Sequence, residues 1–94
     1  MSENVLRDRM EQELKKELRA LVLRTRAKMN LTQNKMGDRY VMSDDSFADI
    51  ESGENMCGTL TAFLLLRDQE DRDSVFDEIG AKLDKIRNEE ELLL

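Results

Sequence analysis

The residues able to do chemistry are mostly carboxylates, and their spacing favours charge over catalysis. The chain has 94 residues, with 21 Asp and Glu, one cysteine and no histidine, so the commonest general base and metal ligand is missing. Asp44, Asp45 and Asp49 share one face of a helix at these spacings and concentrate negative charge there. The run from Asp68 to Asp73 reads as a solvated acidic segment, with no apolar pocket to shift a pKa. Its Asp71-x-Asp73 spacing lacks the glycine and distal glutamate of a calcium-binding loop. No glycine-rich phosphate loop occurs. Cys57, near an expected helix start where a thiol can be activated, reads instead as a small buried or half-buried cysteine. The expectation is a protein without catalytic residues, metal or cofactor.

The elements that must position these carboxylates are helices. Proline is absent and glycine is limited to Gly37, Gly53, Gly58 and Gly80, while Leu, Glu, Lys, Arg and Ala fill long unbroken stretches. Aromatics are few (Tyr40, Phe47, Phe63, Phe76), so Leu, Ile, Val and Met must build the core. A single domain of this size buries only roughly 60–65% of its unfolded surface, and a partner subunit would add to a modest core. The start of the chain is charged, with spaced apolar residues, unlike a signal peptide. No apolar run approaches the ~18 residues of a membrane span. A lone cysteine cannot form an internal disulfide, so a cytoplasmic location is expected.

The first helix is expected over 3–29. Leu6, Met10, Leu14 and Leu18 recur every four residues, and Leu21, Val22 and Met29 continue the stripe. It either covers a core along its length or projects its first ten or so residues to meet another subunit. Thr32 is a good N-cap for a second helix over 33–40, with Met36 and Tyr40 facing inward. Gly37 in its middle costs roughly 1 kcal/mol relative to alanine, which implies a close approach there. Ser43 caps a third helix over 44–52, with Phe47 and Ile50 facing the core, and Gly53 ends it. A fourth helix from Cys57 or Gly58 to Arg67 is apolar nearly all round and is expected to be the most buried element. After an acidic connection from Gln69 to Asp73, a fifth helix is expected over 73–90. Its Phe76, Ile79, Leu83 and Ile86, spaced 3, 4 and 3, form a seam of about one and a half heptads suited to an oligomer interface. The tail Glu89–Leu94 is expected to fray.

Residues 24–66, nearly half of the chain, resemble the lambda-repressor-like (Cro/repressor) helix-turn-helix family. The resemblance rests on Leu31-Thr32-Gln33 opening the second helix, Met36 with the small Gly37, Ser43 before the third helix, then Phe47, Ile50 and Glu51-x-Gly53. Met56-Cys57-Gly58-Thr59-Leu60-Thr61 leading into an apolar helix also fits. The resemblance implies an all-α, five-helix domain over 1–94: an N-terminal helix extension (1–23), the core motif (24–67) and an acidic C-terminal helix (68–94). It implies that the third helix enters the major groove. Asp44, Asp45 and Asp49 then fall where bases are met, Ser43 at a further nucleic-acid-binding position, Gln33 where phosphate is met, and Lys35 and Arg39 nearby as further phosphate contacts. It also implies an ion pair between Arg26 and Glu51 and a small residue at Gly37 where the second and third helices cross. Val41 stands where the family usually has glycine, so an altered turn is expected.

Charge pulls against that role. The net charge is −6: residues 1–30 carry +3, residues 31–67 carry −3 and residues 68–94 carry −6. Affinity for duplex DNA comes largely from neutralising phosphates. After the Ser43 cap, Asp44 and Asp45 also suit a first helical turn through the macrodipole, by roughly 0.3–1 kcal/mol each. Asp49, a turn later, has no such reason. Two functions follow as expectations. One is a homodimeric DNA-binding transcriptional regulator. The other is a helix-turn-helix fold kept as an acidic protein-interaction module, antitoxin-like or competing with DNA for a basic partner. The charge around the third helix separates them.

Overall fold

Long proline-free stretches rich in strong helix formers satisfy their backbone polar groups locally. The computed structural model, which describes residues 3–93 with side chains through Glu89, is accordingly all-α. Its helices are α1 (Glu3–Met29), α2 (Gln33–Arg39), α3 (Asp44–Ser52), α4 (Thr59–Arg67) and α5 (Arg72–Leu93). The ranges of α1 and α3 coincide with those expected. Helix α2 stops one residue early, with Tyr40 as its C-cap, and α4 begins only at Thr59. Helix α5 stays helical through Leu93, past the point where fraying was expected; Leu94 lies outside the described residues.

Helices α1 and α5 run antiparallel, as three cross-links in opposite order show, two to α5 and one to Asp71 just before it. Arg9 meets Glu89 at 3.2 Å, Glu17 meets Lys82 at 2.8 Å, and Arg24 meets Asp71 at 3.3 Å. At about 1.5 Å rise per residue α1 is about 40 Å long, which accounts for most of the molecule's 47 Å length. The described part of the expected projecting arm is therefore backed by α5 rather than standing alone. Lys82 holds the Glu17 carboxyl below its ordinary pKa through its hydrogen bond.

The core gathers at the other end of this pair. Leu18, Leu21 and Val22 of α1 pack with Met36 and Tyr40, Phe47 and Ile50 of α3, Cys57, Leu65 of α4 and Val75 of α5. Full burial of a side chain of this size contributes roughly 1.5–3 kcal/mol.

Two sequence expectations are corrected by this packing. Helix α4 is not the most buried element: Leu60 is 62% and Phe63 58% exposed, and only Thr61 and Leu65 are fully covered. An all-round apolar helix buries itself only if neighbours surround it, and here α1 and α5 cover one side. The seam of α5 is likewise divided. Ile79, Leu83 and Ile86 are half-buried beside α1, while Phe76 is 66% exposed. Among the described residues no helix is long and apolar enough to cross a membrane.

Candidate functional site

Local chemistry builds the α2–α3 unit. Thr32 accepts the Lys35 backbone N–H at 3.2 Å, and Ser43 accepts that of Ser46 at 3.2 Å, so each helix start has a side-chain cap. Gly53 closes α3 with a φ of 86°, in the region glycine favours. Gly37 is needed for space: a Cβ there would sit 2.9 Å from the Met42 carbonyl oxygen. The crowding comes from the turn leading into α3 rather than from α3 itself. In that same turn Val41 takes a φ of 59°. The valine holds this left-handed conformation while 81% exposed.

Behind the unit lies Glu51, only 7% exposed. Arg26 Nη1 donates to its two carboxylate oxygens at 2.8 and 3.0 Å, and Gln33 Nε2 donates to Oε1 at 2.9 Å. Arg26 also reaches the Leu31 carbonyl at 3.1 Å, while Arg19 Nε reaches the Glu51 carbonyl at 2.7 Å. One carboxylate thus ties α1, α2 and α3 together. The Gln33 amide, assigned to phosphate by the resemblance, is turned to this internal pair.

Arg39, the second candidate phosphate contact, is occupied too. It makes a two-pronged bridge to Asp68 at 2.9 and 2.7 Å, and the Tyr40 hydroxyl donates to the same carboxylate at 2.8 Å. The Arg39 hydrogen bond holds the Asp68 carboxyl below its ordinary pKa. Burial, followed by the negative Asp68, pushes the Tyr40 phenol well up. Gln69 is buried, donating to Thr25 Oγ1 and to the Leu65 carbonyl at 2.8 Å each, and accepting from Arg24 at 2.8 Å. The segment read as a solvated acidic run therefore begins as a packed, hydrogen-bonded joint. Nothing in the local sequence marks Asp68 or Gln69, because their partners other than the Leu65 carbonyl lie 28 to 45 residues away.

The outer face of α3 contrasts with this. Asp44 and Asp45 are exposed and Asp49 is half-buried. Asp44 accepts from Asn34 at 2.9 Å, joining the starts of α2 and α3. None of the three aspartates has an ion pair among the described residues, while four cations of α1 and α2 are engaged elsewhere. Arg24 and Lys28 meet Asp71 and Glu70, Arg26 meets Glu51 and Arg39 meets Asp68. Lys35 is exposed and has no ion pair among the described residues. Cys57 is buried, and burial raises its thiol pKa, so it is a poor nucleophile at neutral pH. No protein-family model matches the chain, and neither a curated protein nor a solved structure is significantly similar to it.

Proposed function

We propose that the chain is a lambda-repressor-like helix-turn-helix protein of the cytoplasm whose α3 face meets a basic protein surface, as an antitoxin-like or DNA-competing module. The observation that supports this reading is the charge around α3. Asp44, Asp45 and Asp49 lack cationic partners among the described residues, whereas Arg24, Arg26, Lys28 and Arg39 are each bound to a carboxylate of the same chain. A phosphate backbone approaching this face meets like charge, and few cations remain to release its counterions. A lysine- and arginine-rich protein surface meets complementary charge, which steers encounter and excludes wrong partners.

Sequence-specific DNA binding is the second reading. It is supported by the capped α2–α3 pair and by the exposed Lys35, and an aspartate can accept from cytosine N4 in the major groove. Titration of a fluorescent mixed-sequence duplex at low salt separates the two. The interaction reading expects no binding by the native chain at about 100 μM, where non-specific DNA binders already associate. It also expects duplex affinity to appear in the D44N/D45N/D49N variant. Micromolar duplex binding by the native chain, weakened by those substitutions, would establish the DNA reading instead.

A further inference from the structure

We infer that the outer groove between α4 and α5 binds a free amphiphilic carboxylate, its acyl chain laid past Phe76 and its carboxylate held at Arg67 and Arg72. Two apolar grooves share Leu66 and Phe76 and so run into each other. The first, about 290 Å³, continues to Phe63, Arg67, Arg72 and Asp73. The second, about 210 Å³, lies where α1, α4 and α5 meet, among Leu14, Leu18, Ala62, Ile79, Gly80 and Leu83. Joined, they fall within the size range of small-molecule sites, which begins at about 300 Å³. Arg72 and Leu83 stand about 16 Å apart along the α5 axis. The joined groove is therefore long, charged at one end and apolar at the other.

Charge decides what the occupant carries. Arg7, Arg9, Arg24, Arg26, Arg39 and Arg87 each pair with a carboxylate of the chain. Arg19 donates to the Glu51 carbonyl at 2.7 Å. The two remaining arginines, Arg67 and Arg72, have no ion pair among the described residues, and both line this groove. Arg72 reaches only the Arg67 carbonyl, at 3.4 Å, which keeps it beside the end of α4. Asp73 offsets one of the two charges and leaves this end of the groove positive, in a chain whose net charge is −6. Asp68, next to Arg67, is already held by Arg39 and Tyr40. A guanidinium fork matches the two oxygens of a carboxylate, whereas an uncharged head would leave both arginines unused.

Gly80 gives the apolar half its depth. It stands inside the 22-residue α5, where glycine is unfavourable, yet a Cβ there would meet nothing within 4 Å. The chain's own packing does not require this glycine, and an acyl chain lying against the α5 backbone accounts for it. Phe63 and Phe76, 58% and 66% exposed, are the walls that such a chain would cover. None of these residues belongs to the α3 surface, so this site stands or falls separately from the function proposed there.

Isothermal titration of the whole chain with octanoate, decanoate and dodecanoate, each below its micelle concentration, tests the site. Dodecanoate should bind with a Kd of about 100 μM or below. It should bind at least tenfold more tightly than octanoate, because each further methylene is buried. Decanol, uncharged but of the same chain length, should bind at least tenfold more weakly than decanoate. R67Q combined with R72Q should remove that difference while circular dichroism stays helical. Gly80→Leu, which fills the apolar half and favours the helix, should weaken dodecanoate at least tenfold. No binding of dodecanoate overturns the proposal, as does binding that R67Q/R72Q and Gly80→Leu leave unchanged. Two further results identify another occupant and overturn it equally. One is a dimer in sedimentation that excludes dodecanoate, which would mean that a second copy covers the face. The other is co-sedimentation with anionic phospholipid vesicles by a chain that does not bind monomeric dodecanoate.

Discussion

The α2–α3 unit and the α4–α5 face present opposite kinds of surface. In the first, nearly every polar group near the backbone has a partner within its own chain: Thr32 and Ser43 cap, Gly53 closes, and Glu51 gathers Arg26 and Gln33. On its outer face α3 presents Asp44 and Asp45 to solvent. In the second, the inward residues Leu65, Val75 and Ile79 join the core, while Leu60, Phe63 and Phe76 face outward. The first region satisfies its polar groups within its own chain and leaves charge on its surface. The second leaves large apolar side chains facing solvent.

The largest effect is expected where the first region is most tightly tied. Glu51→Gln removes the charge that Arg26 and Gln33 converge on and leaves Arg26 partly buried without its counterion. Breaking a fully buried pair costs about 3–5 kcal/mol; with Arg26 about one third exposed, a loss of about 2 kcal/mol is expected from partial solvent screening. Urea denaturation would show it as a lower midpoint at unchanged slope. A shift no larger than that of the surface substitution Asp49→Asn would mean that the unit is not held by this carboxylate.

A smaller effect is expected at the joint between the two regions. Asp68, at the C-terminal end of α4, receives Arg39 and Tyr40 from the end of α2. Asp68→Asn should cost roughly 1–2 kcal/mol at neutral pH, since hydrogen bonds to a charged group are the stronger kind. Because Arg39 depresses the folded carboxyl below its ordinary value of 3.8, the stability it contributes is fully present above that value. It is lost as pH falls through the depressed folded pKa. The native protein and the D68N variant should therefore differ most near neutrality and converge in strong acid. A difference that stays constant from neutral pH into acid would remove the ionised Asp68 as the cause.

The contrast also explains what could be read from the residues alone. The all-α class and most helix ends rest on short-range causes, such as Thr32 before Gln33, Ser43 before Asp44 and Gly53 after Ser52, and the structure has them in place. Periodicity identified α4 and α5 as apolar but could not assign their faces, because burial depends on which helices arrive beside them. Leu65 and Phe63 differ by two positions and are equally hydrophobic in pattern, yet one is fully buried and the other more than half exposed. Asp68 and Gln69 misled for the same reason: in composition they look solvated, and only the return of α2 and α1 gives them partners. At the candidate site the residue types were legible, whereas the occupation of Gln33 by Glu51 and of Arg39 by Asp68 depended on tertiary geometry.

The smallest effect is expected at the one place where the α2–α3 unit breaks a local rule. Val41 holds a φ of 59°, where a residue with a Cβ loses roughly 1–2 kcal/mol and a β-branched one is particularly disfavoured. Its side chain, 81% exposed, recovers little of this by packing. Val41→Gly relieves the strain, at a cost of about 0.5–1 kcal/mol from the greater freedom of glycine in the unfolded chain. The net expectation is a gain of about 0.5 kcal/mol, or a few degrees in Tm for a domain of this size. Thermal unfolding at one fixed protein concentration measures it, since association also shifts Tm. A lower Tm would mean that Val41 makes stabilising contacts despite its exposure, and that the turn is not a reservoir of strain.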